Sequence, residues 1–203
     1  MNGFEKRTAE KKAQVKKAAF QLMNTPKGAN GLTMAAVAKL SATSKATIFK
    51  YFESKEKLIQ QVFLDYLQHI KLQASDLLTV PLPFEEKLLK IAQIKMDNLA
   101  QVDEQFFQDL MGYYSKKDDP DFAKAMASYT QHSYDLMLDL FHQGRKEGKV
   151  DLKYSDEFLM LYMESMIQGI TRLEIYQKIK VSYTQNWTEM LLKSLAPTSK
   201  QKE

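Results

Sequence analysis

The chain has 203 residues, of which 44% are hydrophobic, so it can form a packed core in one large domain or two modest ones. It contains no cysteine, which excludes disulfides and thiolate metal sites and fits a reducing compartment. Residues 1–17 are polar and basic without a long apolar run, which predicts neither a signal peptide nor a membrane span and favours a cytoplasmic location.

The net charge of +4 is distributed unevenly along the chain. Residues 1–57 hold twelve Lys and Arg against four acidic residues, whereas the remainder holds 17 against 21. A basic segment beside an acidic remainder indicates that one end of the molecule attracts phosphate groups. The alternative is that the lysines only keep the surface soluble.

The first helix is predicted at about residues 6–23. Its apolar side chains recur at spacings of three and four residues, with lysines on the opposite face. Pro26 and Gly28 end it. The apolar stripe consists of Val15, Ala18, Ala19, Leu22 and Met23, and we expect it to pack against the helices that follow.

Residues 32–58 predict two short helices, a tight turn and the start of a third helix. Thr33 precedes a compact apolar run and is expected to cap the first helix. Short polar residues at 41–43 favour a turn, and Thr43 or Ser44 is expected to cap the second helix. Ser54 is expected to cap the third. This arrangement, with its motif at about 33–52, matches the helix-turn-helix plan, in which the second helix enters the DNA major groove.

The residues of this segment resemble the DNA-binding half of the TetR family of bacterial transcriptional repressors over about residues 10–65. The resemblance is carried by Thr33, Ala38, Ser44, Lys45, Thr47, Ile48, Phe49, Tyr51, Phe52, Ser54 and Lys55. Ala42 stands where that family usually has glycine, and Phe49 where it usually has tyrosine. Because alanine tolerates positive φ poorly, we expect a slightly remodelled turn. The missing phenol hydroxyl at Phe49 removes one phosphate or base contact.

The second helix of the motif supplies the predicted DNA contacts. The residues predicted to contact base edges or flanking phosphates are Ser44, Lys45, Thr47 and Lys50. The resemblance implies that the phosphate backbone is gripped by Thr33, Tyr51 and Lys55. Phe49 is expected to pack on a sugar or a thymine methyl. The alternative for Phe49 and Tyr51 is a core position in a small three-helix domain.

The rest of the chain also reads as helix, without an alternating strand pattern. Further helices are predicted at about 54–78, 84–100, 104–114, 120–147, 155–177 and 182–195. The predicted fold class is all-α, with about nine helices in total. A three-helix DNA-binding domain at 1–57 is followed by a helical effector-binding and dimerisation domain at 58–203.

The last two helices carry more apolar surface than one stripe needs, which favours two-fold pairing into a four-helix bundle. The resemblance implies the same, because TetR-family repressors dimerise through their two C-terminal helices. The predicted dimer interface consists of Phe158, Leu161, Ile170, Leu173, Trp187, Met190 and Leu191. The alternative is that these residues pack inside one chain.

The middle helices hold aromatic and methionine side chains where the family keeps an effector cavity. Such side chains line an adaptable apolar site, which implies a small apolar or amphipathic effector. The candidates are Met96, Phe106, Phe107, Tyr113, Tyr114, Tyr129, Met137 and Tyr162. The alternative is that they are ordinary core residues.

One polar stripe has metal-ligand residue types. Its members are His132, Asp135, Asp139 and His142, which share one helix face. We expect this stripe to be the solvated side of the helix rather than a metal site. The sequence shows no phosphate-cradling glycine loop, no His-Glu-x-x-His and no Gly-x-Ser-x-Gly, so we expect neither catalytic residues nor a cofactor.

The sequence therefore predicts a TetR-like DNA-binding transcriptional regulator, namely a homodimeric repressor that a small-molecule effector releases from a palindromic operator. The alternative is an all-α small-molecule-binding or scaffold protein whose basic end contacts a protein or an anionic membrane.

Overall fold

The computed structural model describes residues 3–115, 119–171, 175 and 183–198, and these residues contain helices but no strand. The α-helices are α1 (Gly3–Met23), α2 (Met34–Leu40), α3 (Lys45–Phe52), α4 (Lys55–Thr79), α5 (Phe84–Ala100), α6 (Glu104–Ser115), α7 (Pro120–Lys146), α8 (Asp156–Thr171) and α9 (Tyr183–Leu195). A 3₁₀ helix spans Gly28–Gly31. The predicted all-α class is confirmed. In this part of the chain, no helix is long and apolar enough to cross a membrane.

The helix ends follow the local chemistry that the sequence indicated. The hydroxyl oxygen of Thr33 accepts a hydrogen bond from the Ala36 amide at 3.1 Å, and that of Ser44 accepts from the Thr47 amide at 3.1 Å. Ser54 caps α4 in the same way. Each cap satisfies an amide that has no partner within its own helix. The helix α4 ends at Thr79, directly before the segment that contains Pro81 and Pro83.

The chain divides into two compact units, each built from two separate segments. Unit 1 combines residues 1–68 with 101–126, and unit 2 combines 69–100 with 127–203. These units differ from the division after residue 57, which concerned function and stays a prediction. The C-terminal part of the helix predicted at 155–177 lies mostly outside the described residues.

Unit 1 has an aromatic centre that α6 completes. The ring centroid of Phe106 on α6 lies 5.2 Å from those of Phe20 and Phe63 and 5.3 Å from that of Tyr66. Around it, α1 packs on α2, and α2 packs on α3. The apolar stripe predicted on α1 is buried here through Val15, Ala18, Ala19 and Met23.

Unit 2 has its own core, to which α5, α7, α8 and α9 contribute. Its buried members are Phe84, Leu88, Ile91, Leu140, Phe141, Val150, Leu159, Leu191 and Leu195. Gly144 allows close approach here, because an added Cβ would lie 2.6 Å from Cγ2 of Val150 and 2.9 Å from Cδ2 of Phe84. Burial of these apolar side chains is the main force that holds the unit together.

Candidate nucleic-acid interface

The helix α3 has a buried side and a side open to solvent. Ile48 is fully buried and Phe52 nearly so, which anchors the helix in unit 1. The opposite side carries three of the four predicted base-contacting residues as exposed side chains, namely Ser44, Lys45 and Lys50. Thr47 is half-buried, and its hydroxyl lies 2.8 Å from that of Ser44. The structure thus brings these four residues together at one short helix. Their contact with DNA stays a prediction.

The two aromatic residues of α3 that are predicted to contact DNA, Phe49 and Tyr51, have different surroundings. Phe49 is 45% exposed, which argues against the alternative that it is a core residue. Tyr51 is half-buried, and the ammonium of Lys12 lies 5.6 Å from the centre of its ring. This cation–π contact brings a lysine of α1 beside α3. The sequence analysis did not single out Lys12.

Two of the three predicted phosphate contacts, Thr33 and Lys55, lie at helix N-termini, whereas Tyr51 lies near the C-terminal end of α3. Thr33 is exposed directly before α2, and Lys55 is the first residue of α4 and half-buried. The Thr33 oxygen accepts from the Ala36 amide, so its own hydroxyl hydrogen points elsewhere and is suited to a phosphate oxygen. Positive partial charge at the two helix starts favours the same ligand.

The turn between α2 and α3 keeps a left-handed backbone at alanine. Ala42 has φ of +48°, a conformation that favours glycine. The turn is closed by a hydrogen bond from the Thr43 amide to the Ala38 carbonyl at 3.1 Å and by Thr43 Oγ1 donating to the Ser41 carbonyl at 3.0 Å. Alanine therefore adopts the strained conformation here, at a cost on the order of 1 kcal/mol.

Hydrogen bonds from α6 and from the residues before it hold the segment between α1 and α2, and the sequence analysis missed them. The Asp109 carboxylate accepts a hydrogen bond from the Ala29 amide at 2.6 Å. Asn24 accepts from the Asp103 amide at 2.5 Å and donates to the Gln101 carbonyl at 3.0 Å. These contacts join residues about 80 positions apart, so no local sequence pattern reports them.

Two further contacts fasten the first turn of α4 within unit 1. The Tyr113 hydroxyl donates to the Glu56 carboxylate at 2.9 Å. Burial, and then the neighbouring Glu56, raises the pKa of Tyr113, so the hydroxyl stays a donor at neutral pH. The Lys57 ammonium lies 2.5 Å from Asp119, and its hydrogen bond lowers the pKa of the Asp119 carboxyl. The start of α4 is therefore tied to α6 and to the residue directly before α7.

The eight effector candidates are divided between the two units. Unit 1 holds Phe106, Phe107, Tyr113 and Tyr114, and unit 2 holds Met96, Tyr129, Met137 and Tyr162. Phe106 has no exposed surface and packs in the aromatic centre, and the ring of Tyr113 lies 5.1 Å from that of Phe63. Tyr162 is 39% exposed, and the others are half-buried. Packing accounts for Phe106; effector contact for the set stays a prediction.

The seven dimer candidates also differ in exposure. Phe158, Leu161 and Met190 are 49%, 61% and 66% exposed. Trp187 is half-buried, whereas Leu191 belongs to the core of unit 2 and leaves little surface for a second chain. The side chain of Ile170 and the whole of Leu173 lie outside the described residues. The exposed members leave an apolar surface on α8 and α9.

The His/Asp stripe of α7 has partners of its own within unit 2. His132 lies 3.2 Å from the Ser75 hydroxyl, and His142 lies 2.8 Å from the Asp156 carboxylate. Asp135 accepts from Gln131 on the same helix. Within the described ranges, no three metal-ligating side chains converge. Three of its four members are thus hydrogen-bonded, and all but His132 are exposed.

The described part of the chain is all-helical, and α2 and α3 form a helix-turn-helix. Residues 13–62 match the family model described as bacterial regulatory proteins, tetR family. A curated relative, the uncharacterized HTH-type transcriptional regulator YhgD of Bacillus subtilis (strain 168), is 36% identical over 61 residues. That alignment covers 30% of this chain and spans about a third, 32%, of the relative.

Solved structures share the fold over nearly the whole chain. The transcriptional regulator FadR of Bacillus subtilis, in complex with stearoyl-CoA, superimposes with a TM-score of 0.68 at 14% identity, covering 89% of this chain and 97% of FadR. Escherichia coli NemR in its reduced form gives 0.69 at 15% identity, covering 93% and 98%. The ketosteroid transcriptional regulator KstR2 of Mycobacterium tuberculosis gives 0.61 at 13%, covering 92% and 95%. The likeness to these structures is one of fold, and the match to the tetR family model covers residues 13–62.

Proposed function

We propose that this protein is a DNA-binding transcriptional regulator that acts as a homodimeric repressor. The observation that carries the proposal is α3, a capped helix that holds Lys45 and Lys50 in solvent within a segment of strongly positive charge. Positive charge supplies affinity for phosphates, and side chains on an exposed helix supply sequence readout. The proposal includes no catalytic activity, because the matched family consists of regulatory proteins. A cytoplasmic location follows, since operator DNA lies there.

The assignment of roles within the interface follows from side-chain chemistry. Lysine donates to guanine O6 and N7, and the threonine methyl contacts the thymine methyl, so Lys45 and Thr47 are the proposed base readers. The proposed phosphate contacts are Thr33, Tyr51 and Lys55. Phe49, exposed and without a hydroxyl, suits a sugar or a thymine methyl. We assign residues 1–57 to DNA binding and 58–203 to effector binding and dimerisation.

The test begins with selection of bound fragments from random double-stranded DNA. Wild-type protein should enrich a palindromic sequence, and its affinity should fall steeply as salt rises. Lys45→Ala should weaken binding to the enriched sequence by about 1–3 kcal/mol and relax its preference at one base pair. Lys193→Ala, at an exposed position of α9, is the matched control and should leave affinity unchanged. No enriched sequence, or equal loss in both variants, contradicts the proposal.

Dimerisation is proposed through the exposed apolar surface of α8 and α9. Phe158 and Leu161 lie on α8 and Met190 on α9, and each is about half or more exposed. A two-fold pairing would bury them, and large exposed apolar patches commonly mark such interfaces. Two recognition helices would then meet successive major grooves about 34–36 Å apart, which explains a palindromic operator.

Release by a small molecule is proposed to pass through α4. Its residues up to Gln68 belong to unit 1 and those from His69 to unit 2, so one continuous helix is shared by both. An effector that favours another position of α4 would lower DNA affinity, and coupling of about 1–3 kcal/mol suffices for a useful response. The fold relative FadR, solved with stearoyl-CoA, supports a ligand-responsive unit 2. Unchanged operator affinity after effector binding would contradict the switch.

A further inference from the structure

The helix α1 continues well beyond the part that the rest of unit 1 covers. Its buried side chains begin at Val15, and from there Ala18, Ala19 and Met23 are at most 3% exposed. Within residues 3–14, every residue is exposed except Thr8, which is half-buried. At a rise of about 1.5 Å per residue, this part of the helix is about 18 Å long. We call it the α1 extension (residues 3–14).

The side of α1 that faces the core changes its chemistry where the cover ends. Spacings of four, three, four, three and four residues place one set of residues on this side. In chain order they are Phe4, Thr8, Lys11, Val15, Ala18 and Leu22. Lys12 lies beside them, three residues before Val15 and seven before Ala19. The side that is apolar in the packed part of α1 therefore carries two lysines in the α1 extension.

Lys12 connects the α1 extension to α3. Its ammonium lies 5.6 Å from the centre of the Tyr51 ring, and Tyr51 is one of the predicted phosphate contacts. A lysine held over a ring by a cation–π contact still has N–H donors for a second ligand. A phosphate bound at Tyr51 would therefore be within reach of Lys12.

The two lysines on this side have no ion pair among the described residues. The next lysine along the helix differs, because the ammonium of Lys16 lies 2.5 Å from the Asp65 carboxylate of α4. The whole α1 extension holds four cationic residues, Lys6, Arg7, Lys11 and Lys12, against Glu5 and Glu10. Its positive charge is thus exposed to solvent and open to an anionic partner.

We propose that the α1 extension binds the phosphate backbone of the DNA that flanks the base pairs read by α3, through Lys11 and Lys12. The inference rests on the proposed function, because it takes the partner to be double-stranded DNA, and it adds a second contact region. Charge complementarity supports it, since B-DNA carries one negative charge per about 1.7 Å of its axis. A helix segment about 18 Å long can follow about five base pairs.

The position beside Tyr51 favours DNA over another polyanion. An acidic protein or an anionic membrane would also attract these lysines, but neither requires them to lie next to α3. If DNA is the partner, contacts by α3 and by the α1 extension occur in one complex. The affinity for the selected palindrome then depends on base pairs outside it.

The first test measures this dependence by fluorescence anisotropy of the full-length protein. The duplexes carry the selected palindrome with zero, three, six or twelve base pairs of random sequence on each side. Wild-type protein should bind the duplex with six flanking base pairs about 10-fold more tightly than the duplex without flanks. Twelve should add about twofold at most, because the α1 extension reaches about five base pairs. Equal affinities from zero to six flanking base pairs overturn the proposal.

The second test removes the two charges with the double variant Lys11→Gln, Lys12→Gln, which keeps good helix formers at exposed positions. It should lose the gain from flanks. The slope of log affinity against log salt should become shallower by about 0.9 for each lost phosphate contact, so by about 1.8 per chain. Its base preference should stay that of wild type, because phosphate contacts carry no sequence information.

Two further double variants make this result specific. Lys11→Arg, Lys12→Arg keeps the charges and should bind as wild type does. Lys6→Gln, Lys17→Gln is the matched control, because it removes two exposed lysines from the opposite side of the same helix and should keep the wild-type slope. An equal loss of slope in this control, or an unchanged slope in Lys11→Gln, Lys12→Gln, overturns the proposal.

Failure of this inference is distinguishable from failure of the regulator proposal. If no sequence is enriched, the salt dependence is measured on random duplex DNA. A shallower slope there in Lys11→Gln, Lys12→Gln supports the phosphate contact while the operator-binding function is contradicted. Sequence-specific binding that ignores both the flanks and the double variant contradicts the α1 extension alone.

Discussion

Ala42 has a left-handed backbone conformation that its side chain disfavours, so replacing it by glycine should remove strain. Ala42→Gly should raise the free energy of unfolding of unit 1 by about 0.5–1 kcal/mol, because the left-handed strain of alanine exceeds the extra unfolded-state entropy of glycine. Urea denaturation followed by circular dichroism measures it. The same substitution at exposed Ala13 in the middle of α1 should lower stability by about 0.5–1 kcal/mol. Parallel losses at both positions would show that the turn is unstrained.

Gly28 is constrained by both its backbone and its neighbours. Its φ is +53°, and an added Cβ would lie 2.1 Å from Oδ2 of Asp109. Gly28→Ala should therefore destabilise the protein by about 1–3 kcal/mol, through strain and through displacement of the carboxylate that holds the Ala29 amide. Gly112→Ala on α6 is the control: no atom lies within 4 Å, so it should be neutral or stabilising. Thermal melts of the two variants measure the difference. An unchanged melting temperature in Gly28→Ala would contradict the tight contact with Asp109.

At the scale of elements, the connection between α7 and α8 depends on one carboxylate. Asp156 pairs with Arg145 and with His142, and hydrogen bonds from His142 and then Arg145 lower its pKa. A carboxyl whose pKa is lower in the folded state stabilises the fold above its ordinary pKa of about 4 and loses this contribution as the pH falls through the lowered value.

Asp156→Asn should therefore lower the melting temperature at pH 7 and flatten its decline below about pH 4. Thermal melts of wild type and variant from pH 7 to pH 3 measure the difference. Asp135→Asn serves as the control, because that carboxylate accepts from Gln131 of its own helix. A decline in Asp156→Asn as steep as that of wild type would count against the pairing.

Most elements and their ends were predictable from the sequence. The caps at Thr33, Ser44 and Ser54 are local signals, since each oxygen serves an amide three residues on. The bounds of α5 followed from the proline before it and from the three- and four-residue spacing of its apolar side chains. Asp109 was not predictable, because its partner lies 80 residues away.

At the scale of the whole molecule, the exposed apolar surface of α8 and α9 predicts the oligomeric state. The double variant Leu161→Glu, Met190→Glu should convert a dimer to a monomer, because a charge buried in an interface is costly. Sedimentation equilibrium measures the mass. Leu152→Glu, at a residue that is 80% exposed and precedes α8, is the control and should stay dimeric. A monomeric wild type, or a double variant that still dimerises, would rule out this surface as the interface.

The interleaving of segments in unit 1 limits how the DNA-reading part can be transplanted. Phe106, contributed by residues 101–126, fills the space between Phe20 and Phe63, so a fragment that stops at residue 57 or 68 would leave this aromatic centre open to water. A chimaeric regulator that borrows only the first 60 residues should aggregate or remain partly folded. A graft that also carries α6, joined to the first segment by a short linker, should fold and keep its DNA-binding surface in the new protein.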